Sequence, residues 1–250
     1  MRPALPQAGH PLAALLSLVL VACAGAPVQK PVNGDRFSVG EVVQSDANRV
    51  ANLVMRDNLD SLALLLDKLY RRNPAEWKKS GAASREAAVR AVMTAVRDGL
   101  PLPALGQARS VGALPRAFDA GYGGDRAGAL VYGLGTMLTE LYGGRRSLYL
   151  LNGLDAQRVA NASFNVQVAV WMLSNRTGPD GKPLLLSNEI GVAGSNLSFE
   201  REFGRVIGRL ELLAELADES TRRGFINYVQ GLLGAPLLQF LPLDAVSAVR

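Results

Sequence analysis

Ser45-Asp-Ala-Asn-Arg-Val50-Ala-Asn-Leu-Val-Met-Arg-Asp-Asn-Leu-Asp60-Ser-Leu-Ala-Leu-Leu-Leu-Asp-Lys-Leu-Tyr70-Arg-Arg72 reads as one long amphipathic helix. Val50, Leu53, Val54, Leu62, Leu65, Leu66 and Leu69 recur near three- and four-residue spacing, while Arg56, Asp57, Asp60, Asp67 and Lys68 supply a wet side. The sequence just after it has the same character. Asn73-Pro74-Ala75-Glu76 places a capping side chain, a first-turn proline and an acidic residue where a second helix would need them. Ser84-Arg-Glu86 opens a third, with Ala88, Val89, Val92, Met93 and Val96 as its apolar stripe and Gly99 and Pro101 as its stop.

Residues 99–124 hold Pro101, Pro103, Pro115 and many glycines and form the most loop-like interior stretch, a candidate sub-boundary between two helical halves. From Gly124 to Tyr142 a helix is expected behind Asp125. Its internal Gly128, Gly133 and Gly135 each cost about 1 kcal/mol relative to alanine, which close packing against a neighbouring helix would offset. Gly143-Gly144-Arg145-Arg146 breaks the chain before Ser147–Leu151, and Asp155 caps a strong helix to about Leu173. Gly178-Pro179-Asp180-Gly181 is a turn opening a loop to about Gly194, in which Leu184-Leu185-Leu186 is a candidate short strand. Ser198 or Asn196 caps a helix carrying Phe199, Phe203, Val206, Ile207, Leu210, Leu213 and Leu216 through Ala217. A last helix is expected from Ser220 to Leu233, broken by Gly234 and Pro236. No strand alternation is sustained, so the expected class is all-α, a multi-helix array with loop-rich interruptions and at most one minor strand pair.

The N-terminus carries a different signal. Arg2 precedes an apolar run from Leu12 to Val21, followed by small Ala22 and then Cys23, the pattern of a secretory signal. At roughly ten residues the run is well short of the ~20 that span a hydrocarbon core. Leu20-Val21-Ala22-Cys23 resembles a bacterial lipobox. The resemblance covers about a tenth of the chain. It implies a signal peptide at 1–22, diacylglyceryl transfer to the Cys23 sulfur, cleavage before Cys23 and acylation of the new amino group. Multiple acyl chains make a firm membrane anchor. Ala24, where an Asp favours inner-membrane retention in enteric lipoproteins, implies the outer membrane, facing the periplasm. Residues 23–37, with Pro27, Pro31, Asn33 and Gly34, read as a lipidated tether reaching roughly 40 Å at about 3.1 Å per residue. Ser38-Val-Gly-Glu41 fits a capping box, so the helical domain is expected over 38–250.

Composition narrows the chemistry. Cys23 is the only cysteine and His10 the only histidine, and His10 leaves with the signal. A mature chain without imidazole or free thiol has no Ser-His-Asp or Cys-His nucleophile system and no Cys/His zinc site, so no metal and no cofactor is expected. The formal net charge of +5 is mild, and no run of five or six Lys or Arg suggests nucleic acid. Gly121-Tyr-Gly-Gly-Asp125 and Gly133-Leu-Gly135 lack the lysine of a phosphate loop, and Gly191-Val-Ala-Gly194-Ser195 lacks a nucleophile elbow's last glycine and reads as a flexible loop. Glu219-Ser220 is similar to the Glu-Ser pair of lytic transglycosylases without that family's surrounding motifs. The reading adopted for Asp218-Glu219-Ser220 is a charged junction between two helices.

Two features point to binding. On the helix after Asp155, Gln157, Asn161 and Asn165 recur every four residues, so three amides share one face with Arg158 nearby. Amides donate and accept at once, which suits uncharged glycan or peptide groups. Gly224–Leu243 is twenty residues without a formal charge. Asn227, Gln230, Pro236, Gln239 and Pro242 interrupt it, so it reads as buried helix rather than a span, with Leu237, Leu238, Phe240 and Leu241 as a candidate membrane or partner contact. The functional expectation is a lipid-anchored periplasmic protein, in contact with the bilayer through acylated Cys23. It would act non-catalytically on an envelope protein or cell-wall component as a binding, scaffold or assembly factor. The alternative is a carboxylate-dependent cell-wall glycan hydrolase or lyase.

Overall fold

A computed structural model describes residues 46–143, 154–191 and 194–238. The readings of the signal segment, Cys23, the tether, Ser38–Glu41, Ser147–Leu151, Phe240 and Leu241 lie outside the described residues. Within them the chain is all-α, with seven α-helices and one short antiparallel strand pair. The helices are α1 (Asp46–Arg72), α2 (Pro74–Lys79), α3 (Arg85–Asp98), α4 (Leu114–Ala117), α5 (Arg126–Leu141), α6 (Ala156–Asn175) and α7 (Ser198–Leu238).

The sheathed centre is α5. Most of its residues are buried, including Leu130, Val131, Leu134 and Leu138, because α1, α3, α4 and α6 all pack on it. Its glycines are points of closest approach. A Cβ at Gly135 would lie 2.8 Å from both Val96 γ-carbons of α3, and one at Gly133 would lie 2.8 Å from Leu114 Cδ2 and 3.1 Å from the Ser110 carbonyl oxygen. The offset expected for helical glycine is therefore helix and loop contact on two sides. Leu62, Leu65, Leu66, Leu69 and Tyr70 of α1 are fully buried against this centre, whereas Val50 is exposed on the first turns. The Tyr142 hydroxyl donates to the Ala51 carbonyl oxygen at 2.7 Å and ties the far end of α5 to α1.

Caps follow the sequence in three places. Ser84 accepts from the Ala87 amide, Asp125 from the Gly128 amide, and Asp155 from the Gln157 and Arg158 amides, while Gly99 ends α3 with a left-handed φ of 68°. Asn73 departs from its expected role. It makes no cap bond, and its side chain donates to the Leu69 and Leu186 carbonyl oxygens and accepts from the Leu186 amide. With both backbone groups of Leu186 taken by one amide side chain, Leu184–Leu186 forms no strand. The strand pair is instead β1 (Glu189–Gly191) with β2 (Gly194–Asn196), so the segment expected as a flexible loop is a hairpin, and Ile190 stands 79% exposed on it.

Residues 99–124 hold two 3-10 turns (Pro103–Leu105, Ser110–Gly112) and α4, and they join the core. Leu105, Leu114 and Phe118 are buried in the same cluster as α1, α3 and α5, the Tyr132 hydroxyl donates to the Leu100 carbonyl oxygen at 3.0 Å, and the Ser110 amide donates to Thr136 Oγ1 at 2.7 Å. One hydrophobic cluster thus runs through both sides of the candidate sub-boundary.

The helices expected at 198–217 and 220–233 are one. α7 runs unbroken for 41 residues, past Asp218-Glu219-Ser220 and Gly234 to Leu238. The charged segment holds the helix together because Glu219 accepts from Arg222 (2.7 Å) and Arg223 (2.8 Å) one turn on, pairs of the kind that support helices. α7 lies antiparallel to α1. Lys68 Nζ, over the Phe199 ring at 4.5 Å, donates to the Ser198 carbonyl oxygen, and Arg209 donates to the Asp57 carbonyl oxygen and Ser61 Oγ. This register sets the start of α1 against about residue 220, and α7 runs on past it for roughly 25 Å. Leu237 and Leu238 are the last two residues of that extension. Among the described residues no helix is long and apolar enough to cross a membrane.

Candidate functional site

A cleft of about 440 Å³ opens between α1, α3 and the far end of α5. Helical spacing on α1 brings Asn52, Met55, Arg56, Leu59 and Asp60 to one side of it. The last turn of α3 supplies Val96, Arg97 and Asp98, and Arg109 and Glu140 close it. Met55, Leu59 and Val96 are buried and make an apolar floor. The rim is zwitterionic: Arg97 pairs with Asp60 at 3.5 Å and Arg109 with Glu140 at 3.3 Å, each partner between two-fifths and two-thirds exposed. Exposed ion pairs of this kind contribute about 0–1 kcal/mol, so an incoming ligand can exchange for either partner at little cost.

Glu140 also lines a second, shallower depression of about 190 Å³ on its other side, with Ser110, Met137, Leu141, Arg158, Asn161, Ala162 and Asn165. Three of the four residues singled out on the amide helix thus line one surface. Gln157 is not among them; its Nε2 donates to Asn161 Oδ1 at 2.9 Å and orients that amide. Asn165 Nδ2 reaches Met137 Sδ at 3.7 Å, across to α5. Leu237 and Leu238 belong to α7.

Ser110 lines the second depression and follows Arg109, which lines the first. It is the only non-glycine residue with positive φ (54°) among the described residues, held there by its amide bond to Thr136. A side chain in the left-handed region costs about 1–2 kcal/mol. Ser110→Gly should therefore raise the unfolding free energy by about 0.5–1 kcal/mol, after subtracting glycine's larger unfolded-state entropy, as read by urea denaturation. A destabilised variant would show that the serine side chain is needed for the loop. Sequence reading missed Arg109, Ser110 and Glu140 as site residues, since only the packing of residues 99–112 on α5 brings them to the amide face.

The strongest electrostatic perturbation lies elsewhere, in a buried cluster at the start of α5. The Tyr70 hydroxyl donates to Asp125 Oδ2 at 2.5 Å, and Asp125 Oδ1 accepts from the Gly128 amide at 2.8 Å. Glu76 Oε2 accepts from the Arg126 amide at 2.6 Å, and its Oε1 pairs with Lys79. The Arg126 guanidinium donates to the Asp119 and Ala120 carbonyl oxygens and fixes the preceding turn. Burial pushes the Asp125 carboxyl up to about 6, partly opposed by the Gly128 and Tyr70 hydrogen bonds, and burial together with Asp125 pushes the Tyr70 phenol up. Every carboxylate oxygen here is committed to a protein partner. The cluster caps a helix and presents no group to a ligand.

Glu219, the residue of the transglycosylase-like pair, is exposed on the middle of α7. Hydrogen bonds from Arg222 and Arg223 hold its carboxyl down at about 2, the reverse of what a proton donor to a glycosidic oxygen requires. Among the described residues no group of three or more His, Cys, Asp or Glu is arranged to hold a metal ion. No family model, curated protein or solved structure matches the chain.

Proposed function

We propose that the protein is a lipid-anchored envelope factor that binds rather than cleaves, and that its two depressions, one on each side of Glu140, receive a peptide-like ligand carrying both charges, of the kind cell wall or an envelope protein supplies. The observation that carries this reading is the shared wall at Glu140, where an apolar floor with an arginine–carboxylate rim meets a patch of neutral amides. Apolar burial with a few placed polar groups is the usual composition of a binding site. Asp60 and Glu140 favour binding over acid catalysis, because both are solvent-exposed and arginine-paired rather than held in apolar surroundings. The anchoring and the outer-membrane, periplasm-facing location rest on the lipobox resemblance at Cys23.

Soluble disaccharide-peptide fragments of cell wall, titrated calorimetrically into the full lipidated chain in nanodiscs, test the reading. The Asn161→Ala, Asn165→Ala double variant should bind about tenfold more weakly, corresponding to one lost polar contact or two. Undiminished affinity would remove the amide patch from the site. Release of cut glycan that disappears in Glu140→Gln would overturn the non-catalytic reading.

A further inference from the structure

The outward face of α6 leaves two aromatic rings in water for no reason that the fold supplies. Phe164 is 63% and Trp171 60% exposed, with Val168 between them at 38%. The opposite face of the same helix, Val159, Val166, Ala169 and Leu173, is buried, and Ser163 and Gln167 reach Glu211 of α7. The rings therefore sit on a rigid, backed support. Phe164 and Trp171 are two helical turns apart, about 10.5 Å along the axis, and so lie on one side. Between Ala156 and Asn175 the only charged residue is Arg158, which lies in the second depression, and the rings are flanked by the amides of Gln157, Asn161 and Gln167.

Resting on the wall-binding reading, we propose that this face is a stacking platform for a neutral β-1,4-linked glycan strand, with Phe164 and Trp171 as its two ring contacts. A pyranose presents C–H groups on its faces and hydroxyls at its edge, matching an aromatic plane bordered by groups that both donate and accept. In a β-1,4-linked chain each sugar is turned over relative to the last, so sugars two apart present the same face. Their separation is comparable to two helical turns. Apart from Arg158, α6 contributes no charged side chain to the platform, and the carboxylate nearest its edge is Glu211, held by Gln167, which suits an uncharged polymer better than an acidic or phosphorylated one. Two rings at about 60% exposure offer on the order of 300 Å², below the ~800 Å² per partner of a stable dimer, which disfavours a second copy as occupant. A bilayer is disfavoured because interfacial helices pair apolar residues with Lys or Arg, and this face carries amides.

Chito-oligosaccharides of two, four and six units, which carry no peptide, probe the platform separately from the cleft. With the full lipidated chain in nanodiscs, calorimetry and tryptophan fluorescence should give an affinity at least about tenfold higher for the tetramer than for the dimer, because only the longer chain reaches both rings. Trp171→Ala and Phe164→Ala should each lose about tenfold or more, and Trp171→Phe should retain most binding. Equal affinity in Trp171→Ala, no length dependence, or Trp171-dependent self-association in sedimentation or binding of unanchored chain to liposomes would each overturn the platform. Wall-fragment binding that needs Asn161 and Asn165 but not Trp171 would leave the cleft reading standing and sink this one. The converse would sink the cleft and uphold the platform.

Discussion

Gly128→Ala is expected to lower the unfolding free energy by about 1.5 to 3 kcal/mol, although alanine is the better helix former. A Cβ at this position would lie 2.4 Å from Asp125 Oδ2, 2.8 Å from its Cγ and 3.2 Å from the Tyr70 hydroxyl. The Asp125 side chain has no spare freedom to yield, since one oxygen caps α5 and the other accepts from Tyr70. Displacing it forfeits an N-cap worth ~1 kcal/mol and a buried hydrogen bond to a charged group worth ~1.5–3 kcal/mol, against a helix-propensity gain of ~1 kcal/mol. Urea denaturation with an unchanged slope would report the loss as pure stability. A variant as stable as the parent would show that the carboxylate does not occupy this space.

Asp125 should also write a pH dependence into the fold. Its folded value of about 6 is raised above the ordinary 3.8 by burial. The sign follows from proton binding: the folded state holds this proton more tightly than the unfolded chain. Its contribution to stability is full below pH 4, is lost as pH rises to about 6, and is absent above 7. A shift of this size corresponds to about 3 kcal/mol. Asp125→Asn keeps a capping oxygen and removes the titration, so the stability of the parent relative to this variant should fall by about that amount between pH 4 and pH 7. Taking the difference cancels groups with the opposite sign, such as Glu219, whose carboxyl is held down. Parallel profiles for the two proteins would mean that Asp125 titrates as if exposed.

Both expectations centre on a cluster that sequence reading located only in part. Asp125 as a cap and Gly128 as a point of close approach were legible, because capping chemistry is local and glycine inside an apolar helix needs an explanation. Tyr70 and Glu76 were not, since their partners lie 55 and 50 residues away. The same division holds elsewhere. Helices α1, α3, α5 and α6 follow from periodicity and short-range caps. Where the reading went astray, a side chain had a better offer at long range: Asn73 clamps Leu186 and leaves its cap position unfilled. Asp218-Glu219-Ser220 reads as a junction between two helices, yet its acid-to-arginine spacing of three and four is one that supports a helix interior. The amide face was legible as a face. That Arg158, Asn161 and Asn165 border a depression needed Ser110 and Glu140 brought in from other elements.

The antiparallel register of α1 and α7 has a consequence for how the molecule is displayed. The polypeptide enters α1 at the same pole from which α7 departs, while the hairpin bearing Ile190 stands at the opposite tip, about 40 Å off by the length of α1. The two ends of the helical domain are thus presented well apart, and a fluorophore pair at residues 46 and 190 would measure that separation directly.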